Sequence, residues 1–278
     1  MLQHTFCHLR GIGPNTERQL WDQGLHTWEH VDPRTVAHLP PARRTRLLEG
    51  CERSRHALAS GDAAWFGQAL PSGERWRLFS AFEAGTAYLD IETTGLDSRH
   101  DHVTTVAVYD GIEVMCFVQG DNLDQLPACL ERYPLLVTYN GATFDLPFLR
   151  QQLGIPLQQA HIDLRYVLAS LGYAGGLKAC ERAMGLDRGE LADVDGYLAV
   201  LLWHDYRKSG DPRVLETLLA YNVADVLNLA AIMPTAVNAK LDNTPFVDRL
   251  RLPEHPMTTN PYTAHSAILD RYRGQVGW

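Results

Sequence analysis

The chain reads as an α/β protein, and three features of its 278 residues point there. Near residue 87 the hydrophobic spacing changes from a helical period to strand-like alternation. Beyond that point short β-rich runs alternate with helical stretches, the arrangement that places helices on the faces of a sheet. Between two of those runs an Asp110-Gly111 step marks a tight hairpin. A hydrophobic content of 45% and a charged content of 21% are those of an ordinary globular protein. The length allows one large domain or two smaller ones.

The first ~50 residues read as a small helical unit. A Gly11-Ile12-Gly13 turn precedes Pro14 at a helix start, where the missing N–H of proline is no loss. Leu20 and Trp21 fall on one helical face, and Gly24 sits where a C-cap belongs. Residues 27–31 and 40–59 fit further helices. The aromatic stretch GDAAWFGQALPSGERWRLF is expected to pack against the sheet-bearing domain. AYLDIET is the first strand. HVTTVAVYD and IEVMCFVQG are the second and third, on either side of the hairpin. DQLPACLERY is a short helix, LLVTYN a strand, FDLPFLRQQLG a turn into a helix, and HIDLRYVLASLG another strand-to-helix step. Residues 177–233 are mainly helical. The tail carries Pro245, Pro253, Pro256 and Pro261 with little periodicity, so it is either docked on the surface or partly disordered. The boundaries this gives are a helical unit over 1–60, a connecting segment over 61–86, a sheet-bearing domain over 87–235 and an extended tail over 236–278.

The net charge is −8, and its distribution is uneven. Residues 1–86 hold ten arginines against nine acids, a net of +1, and the remainder carries −9. Arg43, Arg44, Arg46, Arg53 and Arg55 form the most basic stretch, which suits a solvated helix face and a phosphate-contacting one alike. Five dispersed cysteines without a CxxC pair suggest a reduced, cytoplasmic compartment. No run of ~18 apolar residues suggests a membrane span, and the amino terminus lacks the pattern of a secretory signal. No phosphate-binding GxxxxGK[ST] loop and no GxSxG elbow occurs.

The chemistry is carried by acids. Asp90 and Glu92 in YLDIETTGL alternate along a strand and so share a face, while Ile91 turns the other way. Two acids on a buried strand are costly unless paired or metal-bound. Thr93-Thr94-Gly95 comes next, small enough to let a substrate close to the strand end. Asp145 in YNGATFDLPFL precedes a helix, where a plain N-cap would account for it, though not for Tyr139, Asn140, Phe144 and Phe148 around it. Tyr221 and Asp225 in YNVAD are four apart on one face of a helix that is otherwise apolar.

Taken together these motifs resemble the DEDDy group of 3′–5′ exonucleases in the RNase H-like superfamily. NGATFDLPFL is similar to the NxxxFD motif of the proofreading domains of family B DNA polymerases, and YNVAD to their YxxxD motif. The closer resemblance is to the bacterial YprB-like family. It is carried also by WRLF before the first strand, the Gly175–Lys178 turn and the Trp203–Tyr206 helix. The resemblance implies a mixed five-stranded sheet flanked by helices, with the acidic cluster at its centre; the amino-terminal unit itself reads as helix-hairpin-helix-like. It implies that Asp90, Glu92, Asp145 and Asp225 hold two Mg²⁺ or Mn²⁺ ions, about 3.5–4 Å apart in such sites, and that Tyr221 orients the attacking water. The lack of a histidine just before Asp225 argues for the tyrosine type, although some relatives carry His-Asn where this chain has Tyr221-Asn222. Asp163 is expected to be structural. Thr93, Asn140 and Lys178 are candidates for substrate contact, with a turn-stabilising role for Asn140 and an exposed loop charge for Lys178 as the alternatives.

Gly11 and Gly13 look like half of a helix-hairpin-helix, whose backbone N–H groups bind phosphate without reading bases. The upstream residues lean toward extended structure, and a simple helical cap uses the same glycines. His4, Cys7 and His8 lack a second ligand pair with zinc spacing. The expected activity is 3′–5′ exonucleolysis of nucleic acid, favouring single-stranded DNA or frayed 3′ ends. An RNA-processing enzyme with the same site, and a silent nucleic-acid-binding module, are the rivals.

Overall fold

The computed structural model describes residues 1–191, 196–256 and 258–272. At its centre is a five-stranded sheet built from β1 (Thr86–Thr93), β2 (Val103–Tyr109), β3 (Val114–Val118), β4 (Leu135–Thr138) and β5 (Ala160–Asp163). The spatial order is β3-β2-β1-β4-β5. β1, β2 and β3 pair antiparallel, while β4 joins β1, and β5 joins β4, in parallel. The Asp110-Gly111 hairpin forms as the sequence predicts. Gly111 takes a φ of 92°, and Asp110 Oδ1 accepts the N–H groups of Ile112 and Glu113 at 3.0 and 2.8 Å.

The two faces of the sheet feed different cores, because successive strand side chains point opposite ways. Ala87, Leu89 and Ile91 pack with Leu126, Leu130, Phe148 and Leu149 on one side. Tyr88, Leu135 and Val137 face the other, which is continuous with the amino-terminal unit. That unit comprises α1 (Pro14–Asp22), α2 (Pro41–Ala59) and α3 (Ala63–Ala69), and a 3-10 stretch over Ser72–Leu78 runs into α4 (Phe79–Phe82). The short α5 (Leu126–Leu130) leads to β4 and α6 (Asp145–Leu153) to β5. Beyond the sheet come α7 (Leu164–Ser170), α8 (Leu177–Ala183), α9 (Gly196–Ser209) and α10 (Pro212–Leu241).

The structure decides four points that the sequence left open or placed differently. No first helix stands before the Gly11-Ile12-Gly13 turn: residues 2–4 form a single 3-10 turn. The N–H groups of Phe6 and Cys7 are taken by the Glu17 carboxylate at 2.5 and 3.0 Å instead of by a preceding helical turn. The last helix of the sheet-bearing region, α10, runs through Pro234 and past 235 to Leu241. The tail beyond it is docked over its described length. Phe246, Ile268 and Leu269 are buried, Tyr109 and Thr258 share a hydrogen bond at 2.8 Å, and Asn260 donates to the Ala220 carbonyl. Lastly, α10 is long and apolar enough to cross a membrane, although the sequence holds no unbroken apolar run of that length; 72% of its most apolar window is buried inside the protein, so here it is a core helix.

Candidate active site

β1 and α10 together build the site. Asp90 and Glu92 stand on the β1 face turned to α10, and a register shift between Glu92 and Thr93 ends the regular pairing just there. Asp225 comes from the middle of α10. One carboxylate oxygen from each of Asp90, Glu92 and Asp225 lies within 4.8 Å of the others. Glu92 and Asp225 are buried and Asp90 is half-buried. Carboxylates crowded out of water resist ionising. Burial, followed by the charges of Asp225 and Asp145, pushes Asp90 and Glu92 well above the usual carboxylate range. Asp225 is raised by burial, against the opposing pull of Arg188.

Asp145 stands outside this close triad but within its field, since its charge raises both Asp90 and Glu92. It is not a helix cap. α6 starts at Asp145 itself with no side-chain cap, and the backbone N–H groups of Asp145 and Ile91 are near enough to its carboxylate to favour the charged form. Burial raises the Asp145 pKa to about 7, with the Asp163 charge adding and the two N–H groups opposing.

Asp163 holds the loop that presents Asp145. Its carboxylate accepts the N–H groups of Asn140 (2.7 Å), Ala142 (3.1 Å) and Arg165 (3.1 Å), the structural role expected of it. Asn140 sits in the left-handed region at φ 64°, and its side-chain oxygen accepts from Arg165 and from Thr143 Oγ1. That is the turn-stabilising alternative. Thr93 is buried and donates to the Gly95 carbonyl. Lys178 is no exposed loop charge: it is half-buried on α8, with Nζ 5.0 Å from the centre of the Tyr221 ring. Tyr221 itself is buried. Gly11 and Gly13 lie in the amino-terminal unit, where Gly13 caps α1 and a side chain on Gly11 would run into Arg46.

Four residues of the site gave no sequence signal on their own. Asn222 donates from Nδ2 to Asp90 Oδ2 at 2.7 Å and accepts from Thr105 Oγ1 at 3.1 Å, which fixes the orientation of Asp90. Arg188, almost fully buried, pairs with Glu181 at 2.5 Å and also contacts Asp225 Oδ1. The Asp225 contact lacks hydrogen-bond geometry, so Oδ1 stays without a hydrogen-bond partner among the described residues. Asn228 donates to Glu181 at 2.9 Å. Tyr221, Asn222, Asp225 and Asn228 make a polar stripe at helical spacing on an apolar helix, a pattern that could have pointed to the two asparagines. Arg188 sits between helices, where no periodicity marks it.

Hard carboxylate oxygens converging from β1 and α10 suit a hard divalent cation. A mixed sheet in this order, with an acidic cluster on its central strand and on the helix lying across it, defines the RNase H-like class of α/β folds. The chain belongs to the RNase H superfamily, whose sequence model matches residues 87–237. Over 65 residues it is 38% identical to DNA polymerase 1 of Aeropyrum pernix, a stretch amounting to 22% of this chain and 6% of that polymerase. The family B DNA polymerase of the archaeon Pyrobaculum calidifontis aligns over 59% of this chain and 26% of its own, at 19% identity and a TM-score of 0.44. A nuclease solved in its apo form aligns over 59% of this chain and 76% of its own, at 22% identity and a TM-score of 0.40. This chain thus spans only a small part of the polymerases it matches.

Proposed function

We propose that the chain is a divalent-metal-dependent nuclease that removes nucleotides from 3′ ends, with single-stranded DNA as its preferred substrate. The observation that carries this reading is the buried convergence of Asp90, Glu92 and Asp225 from β1 and α10. Asp90, Glu92 and Asp225, with Asp145 beside them, would hold Mg²⁺ or Mn²⁺. Two such ions, when bound, supply a water of lowered pKa and a Lewis acid for the leaving oxygen.

The chain's own groups do the positioning. Asn222 holds the Asp90 carboxylate in one orientation. Arg188 and Lys178 lower the pKa of Glu92 and Asp225, offsetting part of the repulsion in the cluster. Tyr221 is pushed well above its usual range by burial and by the charges of Asp225 and Glu92. It therefore stays neutral, and its hydroxyl serves as a hydrogen-bond donor to the attacking water or a phosphate oxygen, never as the base.

The test is digestion of end-labelled DNA and RNA strands with free or blocked 3′ termini, in Mg²⁺, Mn²⁺ or EDTA. The expected result is metal-dependent shortening of free-ended DNA, lost in Asp90→Asn and in Asp225→Asn. Equal cutting of blocked strands would replace the exonuclease with an endonuclease. A preference for RNA would make it an exoribonuclease, and turnover in EDTA would remove the metal from the mechanism.

A further inference from the structure

A second feature of the molecule takes no part in the chemistry above. Along β5, between α3 and α6, lies a cavity of about 690 Å³ whose walls carry Arg75, Arg150, His161, Gln68 and Gln158 and, among the described residues, no acidic one. In a protein with 33 acids against 25 lysines and arginines, an acid-free pocket with two arginines is a local inversion of charge. Neither arginine forms a salt bridge to a described residue. The Nε of Arg75 is buried and has no hydrogen-bond partner among the described residues, so a donor faces the interior unsatisfied. His161 is held neutral there, its pKa lowered to about 4 by burial and then by the charges of Arg75 and Arg150.

The cavity is joined to the catalytic loop. Ala142 and Leu146 line it, and they flank Asp145 in sequence. His161 Nε2 lies 2.9 Å from Thr138 Oγ1, which in turn accepts the Gly141 N–H at 3.1 Å. The floor is small-sided: at Gly67 an added Cβ would come within 3.0 Å of the Ala160 Cβ. The volume is far larger than one inorganic anion needs and lies in the range of sites that hold nucleotide-sized groups. Arginines joined by neutral amides are the usual means of fixing a sugar-phosphate backbone without reading its bases.

We infer that this cleft anchors the substrate strand at a distance from the cut: a phosphodiester of single-stranded nucleic acid, not the one being hydrolysed, lies between Arg75 and Arg150. The identity of the strand rests on the nuclease reading above, while the charge and shape of the cleft do not. The experiment is fluorescence anisotropy of a labelled single-stranded oligonucleotide, titrated in EDTA over a salt series with wild type, Arg75→Gln, Arg75→Lys and Arg150→Gln. Each glutamine variant is expected to weaken binding several-fold at low salt and to flatten the slope of log K against log salt by about 0.7, the loss of one single-strand phosphate contact. Arg75→Lys is expected to keep the slope. A purely structural role would move the melting temperature and leave the slope alone, so circular dichroism melts are recorded for every variant. Slopes equal to wild type in both glutamine variants would overturn the inference. So would displacement of the oligonucleotide by inorganic phosphate at equal concentration, which would assign the cleft to a free anion. If the wild type digests strands with metal while the slopes stay unchanged, the cleft alone fails. If it neither binds nor digests them, the nuclease reading fails and takes the cleft with it.

Discussion

At the scale of single residues, the site is an electrostatic conflict that a bound cation would resolve. Without metal, Asp90 and Glu92 are held well above their ordinary pKa values and Asp145 near 7. The folded protein therefore keeps protons that the unfolded chain releases from about pH 4 upward. Through Asp145 the stability of the metal-free protein falls as pH rises from about 4 to about 7, by up to about 1.4 kcal/mol per pH unit, and Asp90 and Glu92 act in the same direction. His8, buried and lowered to about 3 from 6.5, acts in the opposite sense below pH 6.5, because only the unfolded chain takes up its proton. The quantity to read is thus the difference between Asp90→Asn and wild type, in which His8 cancels. In EDTA at pH 8 the variant is expected to melt higher than wild type, by about 2–4 °C for each kcal/mol of repulsion removed. The Asn222 hydrogen bond survives, since asparagine keeps a side-chain oxygen. Saturating Mn²⁺ is expected to raise the wild type and move the variant much less. A calorimetric scan in which both respond alike would show that Asp90 is not a ligand.

Elements decide which acids can meet. β1 was readable because its alternation places Asp90 and Glu92 together whatever the rest of the fold does, and α10 because Tyr221 and Asp225 stand one turn apart. Asp145 was readable as a residue but not in its bonding. The sequence offers an N-cap, whereas α6 starts at Asp145 with no side-chain cap, and the carboxylate lies instead within the field of the acids on β1. Arg188 and Glu181 were illegible for a related reason: a buried ion pair depends on which segments meet, and local spacing does not record that. The loop from β4 to α6 is the element most exposed to a single change. At Gly141 an added Cβ would stand 2.2 Å from Thr138 Oγ1, and Thr138 is itself buried and tied to His161. Gly141→Ala is expected to destabilise the protein by about 1–3 kcal/mol, the usual range for overpacking. It is also expected to lower turnover further than stability alone explains, because the same loop sets Asp145. Urea titration paired with single-turnover kinetics measures both, and unchanged turnover in a destabilised protein would separate the loop from the site.

For the whole molecule, the domain boundaries read from composition do not correspond to breaks in packing. One apolar core runs from Met1 through the α10 face of the sheet to Phe246, and Phe246 lies against the rings of His4, Trp21 and His26 at 4.3, 5.2 and 5.7 Å. A change in hydrophobic period marks where strands begin; it says nothing about whether two regions share an interior. The tie between the helical unit and the connecting segment is Glu17 on α1. Its carboxylate is nearly fully buried and takes Arg77 at 2.7 Å as well as the Phe6 and Cys7 N–H groups. Arg77, equally buried, also reaches Glu74. Removing Glu17 leaves the buried Arg77 guanidinium with Glu74 as its one carboxylate partner among the described residues and strips the Phe6 and Cys7 N–H groups of their acceptor, so Glu17→Ala is expected to cost about 3–5 kcal/mol. Replacing both, as Glu17→Met with Arg77→Met, removes the stranded charge but leaves the two N–H groups unpaired at about 1–3 kcal/mol each, and is expected to recover only part of the loss. If the helical unit were instead an independent module hung on the sheet-bearing domain, both proteins would show two melting transitions, with the later one at the wild-type temperature. A single cooperative transition, shifted down in Glu17→Ala and partly restored in the double variant, is the outcome the shared core requires.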